Sequence, residues 1–114
     1  MGYAVELFLD EPEAQRVRQA FAATGSPLVQ TGTFPHISLA VFETVPVDVP
    51  RLTAVVEGFA RHTARLDVRF ASFGMFPGEK IVVFLAPVVT RELLAVHTAF
   101  HAALAAAGLR CDVH

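Results

Sequence analysis

Phe34-Pro35-His36-Ile37-Ser38-Leu39-Ala40-Val41-Phe42 is the stretch on which the fold turns. Ile37, Leu39 and Val41 alternate with His36, Ser38, Ala40 and Phe42, and alternation of period two is that of a half-buried β-strand. The spacing predicts a strand from about Thr33 to Phe42, with Pro35 near its start marking an edge. One face carries an imidazole and a hydroxyl about 6–7 Å apart, near enough for both to touch one phosphate. A histidine so placed exchanges protons near neutral pH, and the hydroxyl can donate to a non-bridging oxygen. A structural or solvent-exposed histidine answers to so short a pattern equally well.

Toward the N-terminus, Tyr3 to Leu9 reads as a second strand, with Tyr3, Val5, Leu7 and Leu9 on one face and Ala4, Glu6 and Phe8 on the other. A helix is expected at once, capped by Asp10 with Glu13 three residues on, Pro12 in its first turn, an Ala14/Val17/Phe21 stripe, and Gly25 to end it. Toward the C-terminus, Asp48 caps a helix with Leu52, Val55, Val56 and Phe59 on its inner stripe. Leu66 to Phe76 and Lys80 to Ala86 flank Pro77-Gly78-Glu79 and predict an antiparallel hairpin, its second strand apolar on both faces and therefore expected to be central. A last helix from Thr90 to Ala107 turns Leu93, Val96, His97, Phe100 and Leu104 inward and ends at Gly108. The order β-α-β-α-β-β-α defines an α+β chain, an antiparallel sheet with helices on its outer face, read as one domain over residues 1–114.

Composition narrows the function classes. Of 114 residues 54% are hydrophobic and 18% charged, with nine Lys or Arg against eleven Asp or Glu. A net charge of −2 excludes a nucleic-acid clamp driven by bulk positive charge, so any phosphate contact is local. The single Cys111 excludes an internal disulfide and a cysteine-rich zinc site and fits a cytoplasmic protein. No apolar run reaches the roughly 18 residues of a membrane span, and no basic leader opens the sequence, so no membrane partner is expected. A mean hydropathy of +0.50 points to surface that something covers.

Other residues carry weaker signals. Glu6 is a carboxylate in an otherwise apolar strand, to be solvated in a cleft, paired with an arginine or held at an edge. Asp67 and Arg69 share a strand face, where an exposed ion pair explains both. His97 and His101 stand at i and i+4 of a helix, but Thr98 occupies the place of a metalloprotease glutamate and no third ligand is signalled, so no metal site is assigned. His62 complements the C-terminal end of its helix, and Cys111 has no base signalled beside it.

Gly2-Tyr3-Ala4-Val5-Glu6-Leu7-Phe8-Leu9-Asp10, the helix start Glu11-Pro12-Glu13, Phe34 to Ala40, and Leu94-Ala95-Val96-His97 together resemble the two-histidine phosphoesterase superfamily, in particular the bacterial proteins named after 2'-5' RNA ligase. The resemblance implies a bilobal fold, each lobe an antiparallel sheet with helices outside, each giving one His-x-Thr/Ser to a shared cleft. It implies metal-independent, cofactor-free chemistry on 2',3'-cyclic phosphates or 2'-5' phosphodiesters of nucleotides or RNA ends, in hydrolysis or ligation. One histidine acts as general base and the other as general acid, while the hydroxyls hold the phosphate. Carried to this chain, His36 is one catalytic histidine and Ser38 its phosphate-binding hydroxyl, with Glu6, Phe8, Phe42 and Arg69 as cleft-lining positions. The second motif is missing: His62, His97 and His101 are each followed two residues later by alanine, and His114 is last. A longer enzyme, a second subunit and a degenerate nucleotide-binding relative each account for that. A reading from a different class is a non-catalytic, ferredoxin-like α+β module that binds nucleotides or forms a homodimer through its sheet face or edge.

Overall fold

The computed structural model describes residues 2–23, 35–79 and 81–112. In chain order the elements are β1 (Tyr3–Phe8), α1 (Glu13–Ala23), β2 (His36–Phe42), α2 (Val49–Arg61), β3 (Phe70–Phe76), β4 (Val82–Pro87) and α3 (Arg91–Ala106). The α+β class and the element order are those expected. The strands form two separate antiparallel pairs, β1 with β2 and β3 with β4. The chain divides into two compact units, Met1–Val47 with Arg110–His114, and Asp48–Leu109. Gly25, Thr33, Phe34, Lys80 and His114, which entered the sequence reading, lie outside the described residues.

In the first unit, α1 begins where the Ala14 N–H reaches the Asp10 carbonyl at 2.8 Å and the Gln15 and Arg16 N–H groups converge on the Pro12 carbonyl. Pro12 has no N–H to leave unpaired, which suits it to a helix start. Ala14 is fully buried, as its place on the expected stripe requires. The segment after Leu109 returns to β2: the Asp112 N–H donates to the Val41 carbonyl at 2.8 Å. The Asp112 carboxylate accepts the N–H groups of Glu43, Thr44 and Val45 and the Thr44 hydroxyl, at 2.9–3.2 Å. Burial pushes that carboxyl up, but the hydrogen bonds from Thr44 Oγ1 and the three backbone donors outweigh it and hold it below its ordinary value.

In the second unit, Asp48 caps α2 as expected, accepting the Arg51 N–H at 3.1 Å, with Pro50 in the first turn. At the other end His62 Nδ1–H donates to the Gly58 carbonyl at 2.8 Å, so its ring serves the helix C-terminus. Thr90 caps α3 by accepting the Leu93 N–H. Gly108, at φ 72°, closes it: its own N–H reaches Ala105 O and the Leu109 N–H reaches Leu104 O, the paired bonds of a Schellman motif. Leu104 and Leu109, which that motif brings together, are both buried. Helices α2 and α3 pack through Phe59 and Phe100, edge to face at 5.2 Å, and Arg51 Nη1 donates to Ala107 O at the end of α3.

Three expectations about this unit need correction. The hairpin around residues 77–79 is present, yet β4 is not central: among the described residues it pairs with β3 alone, and Val82 and Val83 are 52% and 47% exposed. An apolar run on both faces reports a need for cover, not the position of the strand in a sheet. His97 lies outside the packed stripe and is exposed, while Leu93, Phe100 and Leu104 are buried. Arg69 forms no ion pair with Asp67 among the described residues, because β3 begins at Phe70 and the two residues precede the strand whose alternation would set their side chains on one face.

Candidate active site

The first unit holds the polar face that the alternation predicted, but a break in register rearranges it. From Phe8 opposite His36 the ladder runs through Leu7 opposite Ile37 to Glu6 opposite Ser38, and then Val5 faces Ala40. Leu39 is therefore the extra residue of a β-bulge. Residues directly opposite in an antiparallel pair share a face. Glu6, Phe8, His36 and Ser38 consequently lie on one face, while Tyr3, Val5, Leu7, Ile37, Ala40 and Phe42 lie on the other. The expectation that His36, Ser38, Ala40 and Phe42 share a face fails beyond Ser38, because one inserted residue exchanges the two faces. Phe42 stands opposite Tyr3 and is only 1% exposed, so the structure places it among the buried side chains and apart from His36 and Ser38.

Glu6 finds a partner that the sequence did not signal. Its Oε1 lies 3.2 Å from His36 Nε2, and the two side chains are each 25% exposed. The contact is diagonal across the ladder, since Glu6 is directly opposite Ser38 and two positions along from His36. An uninterrupted register continued from Val5 opposite Ala40 would set Glu6 against Leu39 and remove it from this face. The bulge is thus what delivers the carboxylate to the imidazole. The only signal in the sequence is the carboxylate itself, out of place in an apolar strand.

Ser38 is exposed, and Phe8 is a largely exposed aromatic ring opposite His36. Arg69 belongs to the second unit, where its side chain is exposed and its carbonyl accepts the Val88 N–H at 2.7 Å. Among the described residues no three of His, Cys, Asp and Glu stand together as a metal cluster, and no helix is long and apolar enough to cross a membrane.

A carboxylate accepting from one imidazole nitrogen orients the ring, while a hydroxyl two residues away faces the same solvent. Such a face holds a proton-transfer group and a hydrogen-bond donor within reach of one anionic ligand, which is the equipment of an acid/base phosphoesterase. Over residues 8–112 the chain matches the family model described as the 2'-5' RNA ligase superfamily, and it belongs to that superfamily of two-histidine phosphoesterases. The match contains Phe8, His36, Ser38, Phe42 and Arg69, whereas Glu6 precedes it and rests on the geometry alone. No curated protein and no solved structure gives a significant match to the chain.

Proposed function

We infer that the protein acts on a 2',3'-cyclic phosphate or a 2'-5' phosphodiester at a nucleotide or RNA end, with His36 as the proton-transfer group of the β1–β2 face. The observation that carries this reading is the Glu6–His36 pair at 3.2 Å beside Ser38 on one accessible face. In hydrolysis of a cyclic phosphate, the oxygen of water attacks phosphorus and gives up a proton, the P–O bond to the ribose breaks, and the departing ribose oxygen gains a proton. His36 takes or gives one of those two protons, and Glu6 orients its ring through the 3.2 Å contact. Ser38 donates to a non-bridging oxygen, where charge builds during displacement. Phe8 offers a π-face on which a base next to the phosphate stacks. One histidine supplies one of the two proton transfers, so this face is half of a two-histidine site.

The test is turnover of a 2',3'-cyclic nucleotide by the wild-type chain and by His36→Ala. A loss on the order of 10² to 10⁴ in rate, partly restored by free imidazole, supports the assignment. Undiminished activity in His36→Ala overturns it.

A second reading has its own support in the exposed Phe73, Met75, Phe76, Val82 and Val83 of the β3–β4 pair. On that reading the protein is an assembly module whose second copy covers this apolar surface. Sedimentation showing a monomer at micromolar concentration ends it.

A further inference from the structure

His97 and His101 belong to the second unit and are not used by the reading of the β1–β2 face. They lie one helical turn apart on α3, with ring centroids 4.3 Å apart and planes inclined by 37°. His97 is exposed and His101 half-buried, so solvent reaches the pair. The Phe100 ring meets that of His101 edge to face at 6.2 Å, which limits the orientations the second imidazole can take.

Two imidazoles that chelate one ion have predictable spacing. With metal–nitrogen bonds of 2.0–2.1 Å and an angle of 90–110° at the metal, their ring centroids stand about 4.5–5.3 Å apart. The observed 4.3 Å falls just short of that range, so the rings need open by only a few tenths of an ångström. The neighbouring helix positions bring no cation to repel a metal: 93, 94, 98, 102, 104 and 105 are Leu, Leu, Thr, Ala, Leu and Ala. Imidazole is a good ligand for divalent copper, nickel and zinc.

We propose that His97 and His101 form a two-imidazole chelate for one first-row transition-metal ion, with water completing its coordination. The ion ties together successive turns of α3 and stabilises the helix, because it binds the folded arrangement and not the disordered chain. The site uses residues of the second unit alone and stands or falls without the phosphoesterase reading.

Titration of the full chain with Ni²⁺ tests it, read by calorimetry and by the thermal midpoint. One equivalent should bind and raise the midpoint. His97→Ala and His101→Ala should each weaken binding about 10²-fold, since the second bond of a chelate forms at high effective concentration. A double variant, His101→Ala with Ala102→His, keeps the number of histidines, breaks their spacing and should lose binding equally. Cys111→Ser and His36→Ala should retain it. Electron paramagnetic resonance of the Cu²⁺-loaded wild-type chain should show two nitrogen ligands, independently of whether any variant folds. Wild-type affinity in the re-spaced variant, loss of binding in Cys111→Ser, or fewer than two nitrogens on copper overturns the proposal.

Discussion

The two strand pairs are alike in build and opposite in chemistry. Each is antiparallel, and each contains one register irregularity: at Leu39 in β1–β2, and at Ala71 in β3–β4. In the first pair the irregularity falls mid-strand and sorts a carboxylate, an imidazole and a hydroxyl onto one face, with Ala40 and Phe42 buried on the other. In the second it falls at the strand end, and β3 and β4, FASFGMF and VVFLAP, carry no ionisable side chain. Among the described strands, groups able to exchange a proton therefore stand in β1–β2 alone. Position along the strand, more than the presence of a bulge, decides whether the irregularity builds a site.

The contrast can be broken most forcefully at the aromatic residues. Phe42→Ala should destabilise the fold by about 3–5 kcal/mol, the usual cost of emptying a buried aromatic site, whereas Phe73→Ala, 52% exposed on β3, should cost less than about 1 kcal/mol. Denaturant midpoints of the two variants measure the difference, and equal losses would mean that β3–β4 is covered after all. Ser38→Ala comes next. Removal of one hydrogen bond to a charged phosphate costs about 1.5–3 kcal/mol, or roughly 10- to 10²-fold in kcat/KM, without loss of thermal stability. Ser72→Ala on β3 should leave turnover unchanged.

Gly74 sharpens the comparison at smaller scale. It lies directly opposite Phe84, whose ring covers it and stacks on Phe76 at 4.7 Å, so a Cβ at position 74 runs into that ring. Gly74→Ala should cost about 1 kcal/mol in thermal or chemical unfolding, a cost limited by how far the ring can shift. The smallest effect belongs to Asp112, whose carboxyl lies below its ordinary value in the folded chain. A lowered folded value means that its stabilisation is fully present above the unfolded carboxylate value of about 3.9 and is lost as pH falls through the folded one. Asp112→Asn should be less stable than wild type at pH 6, and the gap should close in acid. A gap that widens with acid contradicts the clasp of Asp112 on residues 43–45.

Much of the local structure was legible in advance. Asp48, Thr90 and Gly108 mark helix ends because a cap is a contact over three to five residues, read from one stretch of chain. His36 and Ser38 share a face for the same reason, since period two holds over so short a run. The misreadings concern longer range. Val82 and Val83 are apolar because of something they meet or await, and strand composition does not say whether that is a neighbouring strand. His97 sits at a helical spacing that fits the inner stripe, yet only the angle at which α2 meets α3 decides how wide the buried face is.

Glu6 shows most clearly where the boundary falls. By itself the sequence determined that a carboxylate occurs in the first strand and that an imidazole and a hydroxyl alternate in the second, because residue type and period two are local properties. Tertiary structure alone decided that the carboxylate meets the imidazole at 3.2 Å and that Phe42 turns to the buried face. Both follow from the single inserted residue at Leu39. Register between strands nearly thirty residues apart is set by the sum of contacts along the whole ladder, and a slip of one position exchanges every side chain beyond it between solvent and core.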